Sequence, residues 1–337
     1  MTAVVEQRIL ILGAGAIGGI TAALMQGSVR RVVVVGSGRE HIDLVRDPGL
    51  RLDRLGEVRH VPLEAYGPCE DIAGEFDFCL IAVKAPALES ALEPVVRRGA
   101  VETFVSLGNG LVHERIAAIV GGDRLIVATV EWGATNLGPG HVRQTSENPI
   151  VLGELDGTIR SRTRRLARAL AAVAEVKVTT NIAGQLWSKL VLNSALSGLS
   201  VIGGCNCAEV VSDPHGGLAL RQLWSEGYWL GIRQGLTLEP ILGMDPAELA
   251  SEDPAVFGPA LQRVVDESGP TRASMLQDIE RGRLTEVDVI NGAVVARARA
   301  LGRDAPRNRR VLALVHGFER GEIRPSRHLF AEISGPV

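Results

Sequence analysis

Apolar and polar positions change their rhythm at about residue 181. Before it, Arg8-Ile9-Leu10-Ile11-Leu12 reads as a short strand, and Arg31–Val35, Phe78–Val83, Thr103–Leu107 and Arg124–Val130 are four further apolar runs. Stretches of helical character separate them, and continuous apolar strands alternating with helices predict a doubly wound parallel sheet covered on both faces. Gly138-Pro139-Gly140 turns the chain, after which His141–Thr145 and Ile150–Gly153 predict antiparallel strands at the edge of that sheet. An Arg-rich helix and Val176–Thr180 complete the first half. Beyond Asn181 the strand signal stops. Residues 186–201, 217–234, 246–249, 271–280, 286–301 and 308–319 read as helices, and Pro240, Pro254, Pro259, Pro270 and Pro306 punctuate the gaps. The predicted division is an α/β domain over 1–181, an all-helical domain over 182–325 and a tail over 326–337.

Between the first strand and the helix beginning at Ala16 stands Gly13-Ala14-Gly15-Ala16-Ile17-Gly18. A GxGxxG pattern is weak alone. Placed after a strand and before a helix it predicts a dinucleotide site. The first glycine permits the tight turn, the second admits the pyrophosphate to the backbone, and the third lets helix and strand pack closely. Ligands of open parallel sheets lie off the carboxyl ends of the strands. Ser37 to Arg39, Lys84 and Asn109 stand at three such ends and are expected to border the cofactor.

Composition narrows the partners. The 337 residues carry a formal net charge of −3, so no global basic field argues for nucleic acid or an anionic membrane. Arg160, Arg162, Arg164, Arg165 and Arg168 are a local exception; with Leu166, Leu170 and Val173 at helical spacing among them, they read as the wet face of an amphipathic helix. Cys69, Cys79, Cys205 and Cys207 form no CxxC, and no histidine pair stands at metal-ligand spacing, so no metal is expected. Nothing ahead of Arg8 resembles a signal peptide, and no apolar run reaches the ~18 residues that span a membrane. A reduced, cytoplasmic protein is the expectation, and a homodimer is left open.

The helical half holds the candidate chemistry. Lys189, Asn193 and Ser197 recur at i, i+4 and i+8, so they share one face of a helix whose other residues, Leu190, Val191, Leu192 and Leu196, are apolar. A lysine on a mostly buried helix must be paired or line a cavity, unless it snorkels to the rim. Further on, Gly282 breaks one helix and Thr285 is placed to cap the next. Glu286 then falls in a first turn, where the helix dipole favours a carboxylate whether or not it has another role.

Gly13–Gly18, the Val-Lys-Ala-Pro ending at Pro86, the Asn109-Gly110 pair, Trp187-Ser188-Lys189-Leu190 with Asn193, and Ser274-Met275-Leu276-Gln277-Asp278 through Glu286 to Val295 together resemble the ketopantoate reductases (2-dehydropantoate 2-reductases). The resemblance runs from about Arg8 to Glu319. It implies a Rossmann-type domain followed by a helical domain like the C-terminal one of 6-phosphogluconate dehydrogenases. The implied activity is reduction of 2-dehydropantoate to pantoate with NADPH, on the way to pantothenate and coenzyme A. By the same resemblance Lys189 is the general acid and Glu286 its catalytic partner, also placed beside the cofactor. Asn193 and Ser274 would bind substrate, Asn109 would link nicotinamide ribose and active site, and Lys84 would lie beside the cofactor. Two positions depart from the pattern. Ser197 stands where typical members carry a second asparagine, implying a larger or differently wetted pocket. Gly36-Ser37-Gly38-Arg39 replaces Ala-Arg-Gly; with no acid at Gly36 to Gly38 to grip a free ribose diol, Ser37 and Arg39 are candidates for the 2′-phosphate, and NADH is less expected than NADPH. A reductase of another 2-oxo acid and a non-catalytic NADP(H) sensor are the alternative functions.

Overall fold

Two compact units divide the chain in the computed structural model, which describes residues 4–68 and 72–335. The first unit spans residues 1–108 and 112–182, and the second holds 109–111 and 183–337. Cys69 lies outside the described residues.

The strands of the first unit are β1 (Val5–Leu12), β2 (Val29–Val35), β3 (Leu50–Arg54), β4 (Glu57–Val61), β5 (Glu64–Tyr66) and β6 (Phe76–Ile81). They continue as β7 (Val101–Ser106), β8 (Leu125–Val130), β9 (Ala134–Gly138), β10 (His141–Gln144), β11 (Ile150–Glu154) and β12 (Val176–Val178). Eight of them form one sheet in the order β5-β2-β1-β6-β7-β8-β11-β12. Its first six strands are parallel and follow the doubly wound order, so the sequence direction reverses between β1 and β6. Every residue of β8 is buried, as are Ile9 to Leu12 and Val32 to Val35. Such strands need cover on both faces, and the helices α1 (Ala16–Met25), α2 (Arg39–Leu44), α3 (Leu88–Arg98), α4 (Val112–Val120) and α5 (Ser161–Leu170) alternate with them.

Two expectations for this unit need correction. His141–Gln144 is not an edge strand of the main sheet. It belongs to a second sheet, β4-β3-β10-β9, where it runs antiparallel to β9 and parallel to β3. Leu50, Leu52 and Val142, with Gln144 beside them, give that sheet its buried face, and β4 is exposed along nearly its whole length, so its residues read as loop. The arginines of α5 are not uniformly solvated either. Arg162 grips both carboxylate oxygens of buried Glu154, which also accepts from Thr163 Oγ1 at 2.6 Å, while Arg165 reaches Asp77 at 2.8 Å. Leu166, Leu170 and Val173 are buried as expected.

The second unit is helical: α6 (Ile182–Leu192), α7 (Gly198–Gly203), α8 (Cys207–Ser212), α9 (Pro214–Arg233) and α10 (Pro246–Leu249) precede α11 (Pro254–Ser268), α12 (Ser274–Glu280), α13 (Asn291–Ala300), α14 (Pro306–Glu319) and α15 (Phe330–Ser334). Pro254 and Pro306 start helices rather than separating them. Each sits at the first helical position, where a missing N–H costs nothing, and Asp253 caps α11 through the Ala255 amide. The closing residues are no tail, because α15 packs on α9 with Phe330 and Ile333 buried. Cys205 and Cys207 are buried free thiols; burial pushes Cys207 up to about 11 and Cys79, within β6, far higher. Among the described residues no helix is long and apolar enough to cross a membrane, and no group of three or more His, Cys, Asp or Glu side chains is placed to hold a metal.

Candidate functional site

The glycine-rich loop is built as the spacing requires. Gly13 has φ +112°, and a Cβ there would stand 2.8 Å from the backbone that follows β6. At Gly18 a Cβ would lie 1.9 Å from the Gly13 carbonyl oxygen, so only glycine lets α1 start against β1. A Cβ at Gly15 would meet nothing within 4 Å: the backbone there faces open space. No side chain caps α1 and no acidic residue stands in its first turn. Uncapped first-turn amides, a positive dipole end and unfilled space in front of them fit a pyrophosphate. Ala14 is buried, whereas Gly15, Ala16 and Ile17 are partly exposed.

A second layer of the first unit holds that loop from outside. The His41 Nδ1 accepts from the Gly140 amide at 2.9 Å, which leaves Nε2 to donate to the Ala14 carbonyl at 2.8 Å. Gly36 is needed because a Cβ would come within 2.6 Å of the Ala14 methyl. Ser37 and Arg39 are exposed beyond β2; the Arg39 guanidinium stands 3.8 Å from Asp43, and its side chain is 96% exposed. Lys84 is exposed just past β6. These are carboxyl-end positions of the sheet, and neither His41 nor Gly140 was visible in the sequence as part of the loop's support.

Lys189, Asn193 and Ser197 occupy one half-exposed stripe in the second unit. The opposite side of α6 explains why. Trp187 and Val191 pack on α9 at Gly231 and Gly227, where a Cβ would come within 2.4 and 2.9 Å of them, and Trp187 Nε1 donates to the Gly227 carbonyl at 2.9 Å. Residues two positions away point to the other side of the helix. The single helix expected over 186–201 is interrupted: Asn193–Ser197 form a π turn between α6 and α7, in which the Gly198 amide reaches back to the Asn193 carbonyl. In a regular helix each four-residue step drifts by about 40° around the axis. A wider turn rotates less per residue and brings Ser197 back in line with Lys189.

Glu286 is not in a first helical turn. It is buried in an irregular turn ahead of α13, and its own carbonyl accepts from the Val289 and Ile290 amides. Thr285 does support that turn, its Oγ1 accepting from the Val287 amide at 3.2 Å. The Asn109 amide donates to Glu286 Oε2 at 3.0 Å. Gly110 makes this contact possible: with φ +65°, a Cβ there would lie 1.9 Å from the Val289 carbonyl oxygen, and the Leu111 amide donates to that same oxygen at 3.1 Å. Asn109 and Glu286, 177 residues apart, are thus brought together. Ser274 opens α12, exposed, on a helix that packs against the π turn and α7.

Comparison with known proteins identifies the family. Residues 9–157 match the family described as Ketopantoate reductase PanE/ApbA, and residues 181–319 match its C-terminal counterpart. A 2-dehydropantoate 2-reductase of Archaeoglobus fulgidus is 30% identical over 321 residues, covering 94% of this chain and 99% of its own. A solved ketopantoate reductase of Ralstonia eutropha superposes with TM-score 0.78 at 25% identity, covering 94% of this chain and 99% of that one. D-mandelate dehydrogenase, solved with NADH and anilino(oxo)acetate, shares the fold at TM-score 0.81 and 24% identity, over 93% and 99% of the two chains.

Proposed function

The chain belongs to the ketopantoate reductase family, and on that premise we propose that it reduces 2-dehydropantoate to pantoate at the expense of NADPH. The observation that carries this reading is the buried Glu286 carboxylate held by Asn109, in the same unit as the Lys189–Asn193–Ser197 stripe. A bound reduced nicotinamide supplies the hydride. As the keto carbon of the substrate becomes tetrahedral, its oxygen gains negative charge, and a cation that is also an acid lowers the barrier by stabilising and then protonating it. The Lys189 ammonium takes that role and transfers its proton to the oxygen. Glu286 holds the charged lysine or a substrate hydroxyl in place, its own orientation set by Asn109. Asn193 and Ser274 bind the polar ends of the substrate. Ser37 and Arg39 would hold the 2′-phosphate of a bound NADPH, and Lys84 would add a positive charge beside it.

A second reading, reduction of a different 2-oxo acid, is favoured by one observation. Ser197 presents a short hydroxyl in line with Lys189 where the family pattern has an amide, which leaves room for a bulkier side group. The deciding experiment follows NADPH oxidation with 2-dehydropantoate and with a panel of branched, aromatic and unbranched 2-oxo acids. Turnover that is highest with 2-dehydropantoate supports the first reading, and a clear preference for another acid replaces it with the second. Lys189→Ala is expected to lower kcat by about 100-fold or more, the usual scale for loss of a general acid. Near-normal turnover in that variant sinks the mechanism.

A further inference from the structure

The π turn has a buried partner that no candidate role accounts for. In a regular helix the Gly198 amide would bond to the Ser194 carbonyl; here it bonds to the Asn193 and Ala195 carbonyls. The Ser194 carbonyl instead accepts from Asn291 Nδ2 at 2.9 Å. Asn291 is fully buried, and the same Nδ2 also donates to Asn308 Oδ1 at 2.9 Å. Asn308, equally buried, donates through Nδ2 to Glu226 Oε2 at 3.0 Å, and Glu226 also accepts the Arg307 and Asn308 backbone amides at the start of α14. That carboxylate fixes the direction of the relay. It can only accept, so Asn308 must turn its nitrogen toward Glu226 and its oxygen toward Asn291, and Asn291 must turn its nitrogen toward Ser194.

Asn291 also begins α13, directly after the turn that carries Glu286. Resting on the catalytic reading above, we propose that Asn291 is a positioning residue, its amide holding the π turn open and so setting Asn193 and Ser197 in register with Lys189 and with the Glu286 turn. Gly198, at the exit of the turn, borders the same device: a Cβ there would press on Val311 Cγ1 at 3.2 Å and touch Asn291 Nδ2 at 3.4 Å, so an added methyl disturbs the end of the turn from the side that Asn291 holds. A regular helix in place of the π turn would rotate Ser197 off the stripe and change what the pocket accepts.

The test compares wild type with Asn291→Leu, which keeps the bulk and removes the amide. Three readouts are taken well below the unfolding temperature: kcat and KM for 2-dehydropantoate and for a bulkier 2-oxo acid, NADPH affinity by fluorescence titration, and hydrogen exchange over residues 193–203. Loss of one buried hydrogen bond to the turn should change the kcat/KM ratio between the two acids by about tenfold. Exchange should speed up over 193–203, with NADPH affinity unchanged. A variant that is merely less heat-stable, with kcat, KM and the ratio of wild type, overturns the proposal. If Asn291→Leu does not fold, Gly198→Ala is used instead. It should raise KM or shift the ratio in a protein whose helix propensity is improved, and unchanged kinetics there overturn the proposal equally. Wild-type protein inert toward every 2-oxo acid overturns the catalytic reading and this inference with it, whereas active wild type with unaltered variants overturns this inference alone.

Discussion

Replacing Gly110 by alanine separates two reasons for a glycine. Gly110 and Gly302 have nearly the same backbone conformation, φ +65° and +63°, so alanine at either meets the left-handed penalty of about 1–2 kcal/mol. Their surroundings differ. A Cβ at Gly302 meets nothing within 4 Å, whereas at Gly110 it falls 1.9 Å from the Val289 carbonyl oxygen and 2.6 Å from its carbon. That carbonyl must retreat by more than an ångström, giving up the 3.1 Å bond from the Leu111 amide. Overpacking and one lost hydrogen bond make Gly110→Ala about 2–4 kcal/mol less stable than Gly302→Ala. The displaced turn also carries Glu286, whose 3.0 Å bond from Asn109 is charge-assisted and worth about 1.5–3 kcal/mol, so kcat should fall about 10- to 100-fold. Urea unfolding midpoints and kcat, measured well below the onset of unfolding, check both numbers. If Gly110→Ala is no less stable than Gly302→Ala and turns over like wild type, the close packing of Gly110 on Val289 does not position Glu286.

Arg39, exposed and only loosely paired with Asp43, can be changed with little effect on stability; Arg39→Ala should weaken NADPH binding about tenfold and leave NADH binding nearly unchanged, and equal losses for both cofactors in a fluorescence titration would refute the 2′-phosphate role. Ser197→Asn should favour 2-dehydropantoate over bulkier 2-oxo acids by about 1–2 kcal/mol in kcat/KM, and an unmoved ratio would mean that Ser197 does not touch substrate. His41→Ala removes both ties between the glycine loop and Gly140, so the KM and Kd for NADPH should rise severalfold while the KM for the oxo acid stays put; an unchanged cofactor Kd would show that the loop holds its shape without the histidine. Lys189→Ala and Glu286→Ala should each lower kcat, and the double variant should cost much less than the two added together because they act as one unit, whereas additive losses in the cycle would mean independent roles.

The main sheet and the glycine loop were legible because their requirements are local. Ile9 to Leu12 and Leu125 to Ala128 are unbroken apolar runs that only a twice-covered strand explains, and Gly13 and Gly18 each answer to one backbone constraint. The second sheet was not legible for an equally local reason. Arg51, Asp53 and Arg54 alternate with only Leu50 and Leu52, so the apolar part of the buried face amounts to two leucines and Val142 from a segment ninety residues away. Proline misled where its position decides its meaning: Pro254 reads as a break in sequence, yet at a first helical position behind Asp253 it starts a 15-residue helix. Asn291 and Asn308 could not be found at all. An asparagine inside a helical pattern looks like a weak helix former, and nothing local announces that its amide serves a carbonyl 97 residues earlier.

Two further departures from expectation fall on the candidate site itself. The helix expected over 186–201 fails to continue at Asn193–Ser197, the segment that aligns two of the three stripe residues. The helix expected from Glu286 starts only at Asn291, leaving Glu286 in a turn where Asn109 can reach it. Periodicity assumes regular backbone, so it must fail wherever the chain gives up regularity to aim a side chain, and regularity is given up only where surrounding structure supplies replacement hydrogen bonds. Both interruptions have that support: Asn291 satisfies the Ser194 carbonyl at one, and Thr285 Oγ1 accepts the Val287 amide at the other. One side chain, Asn291, joins them, because it opens the helix that follows the Glu286 turn and closes the hydrogen bond that the π turn leaves over. On this reasoning the spacing between the Lys189 stripe and Glu286 is set by an amide that touches neither, and substitutions at Asn291 should move substrate preference while leaving nucleotide affinity, expected mainly of the glycine loop, as it was.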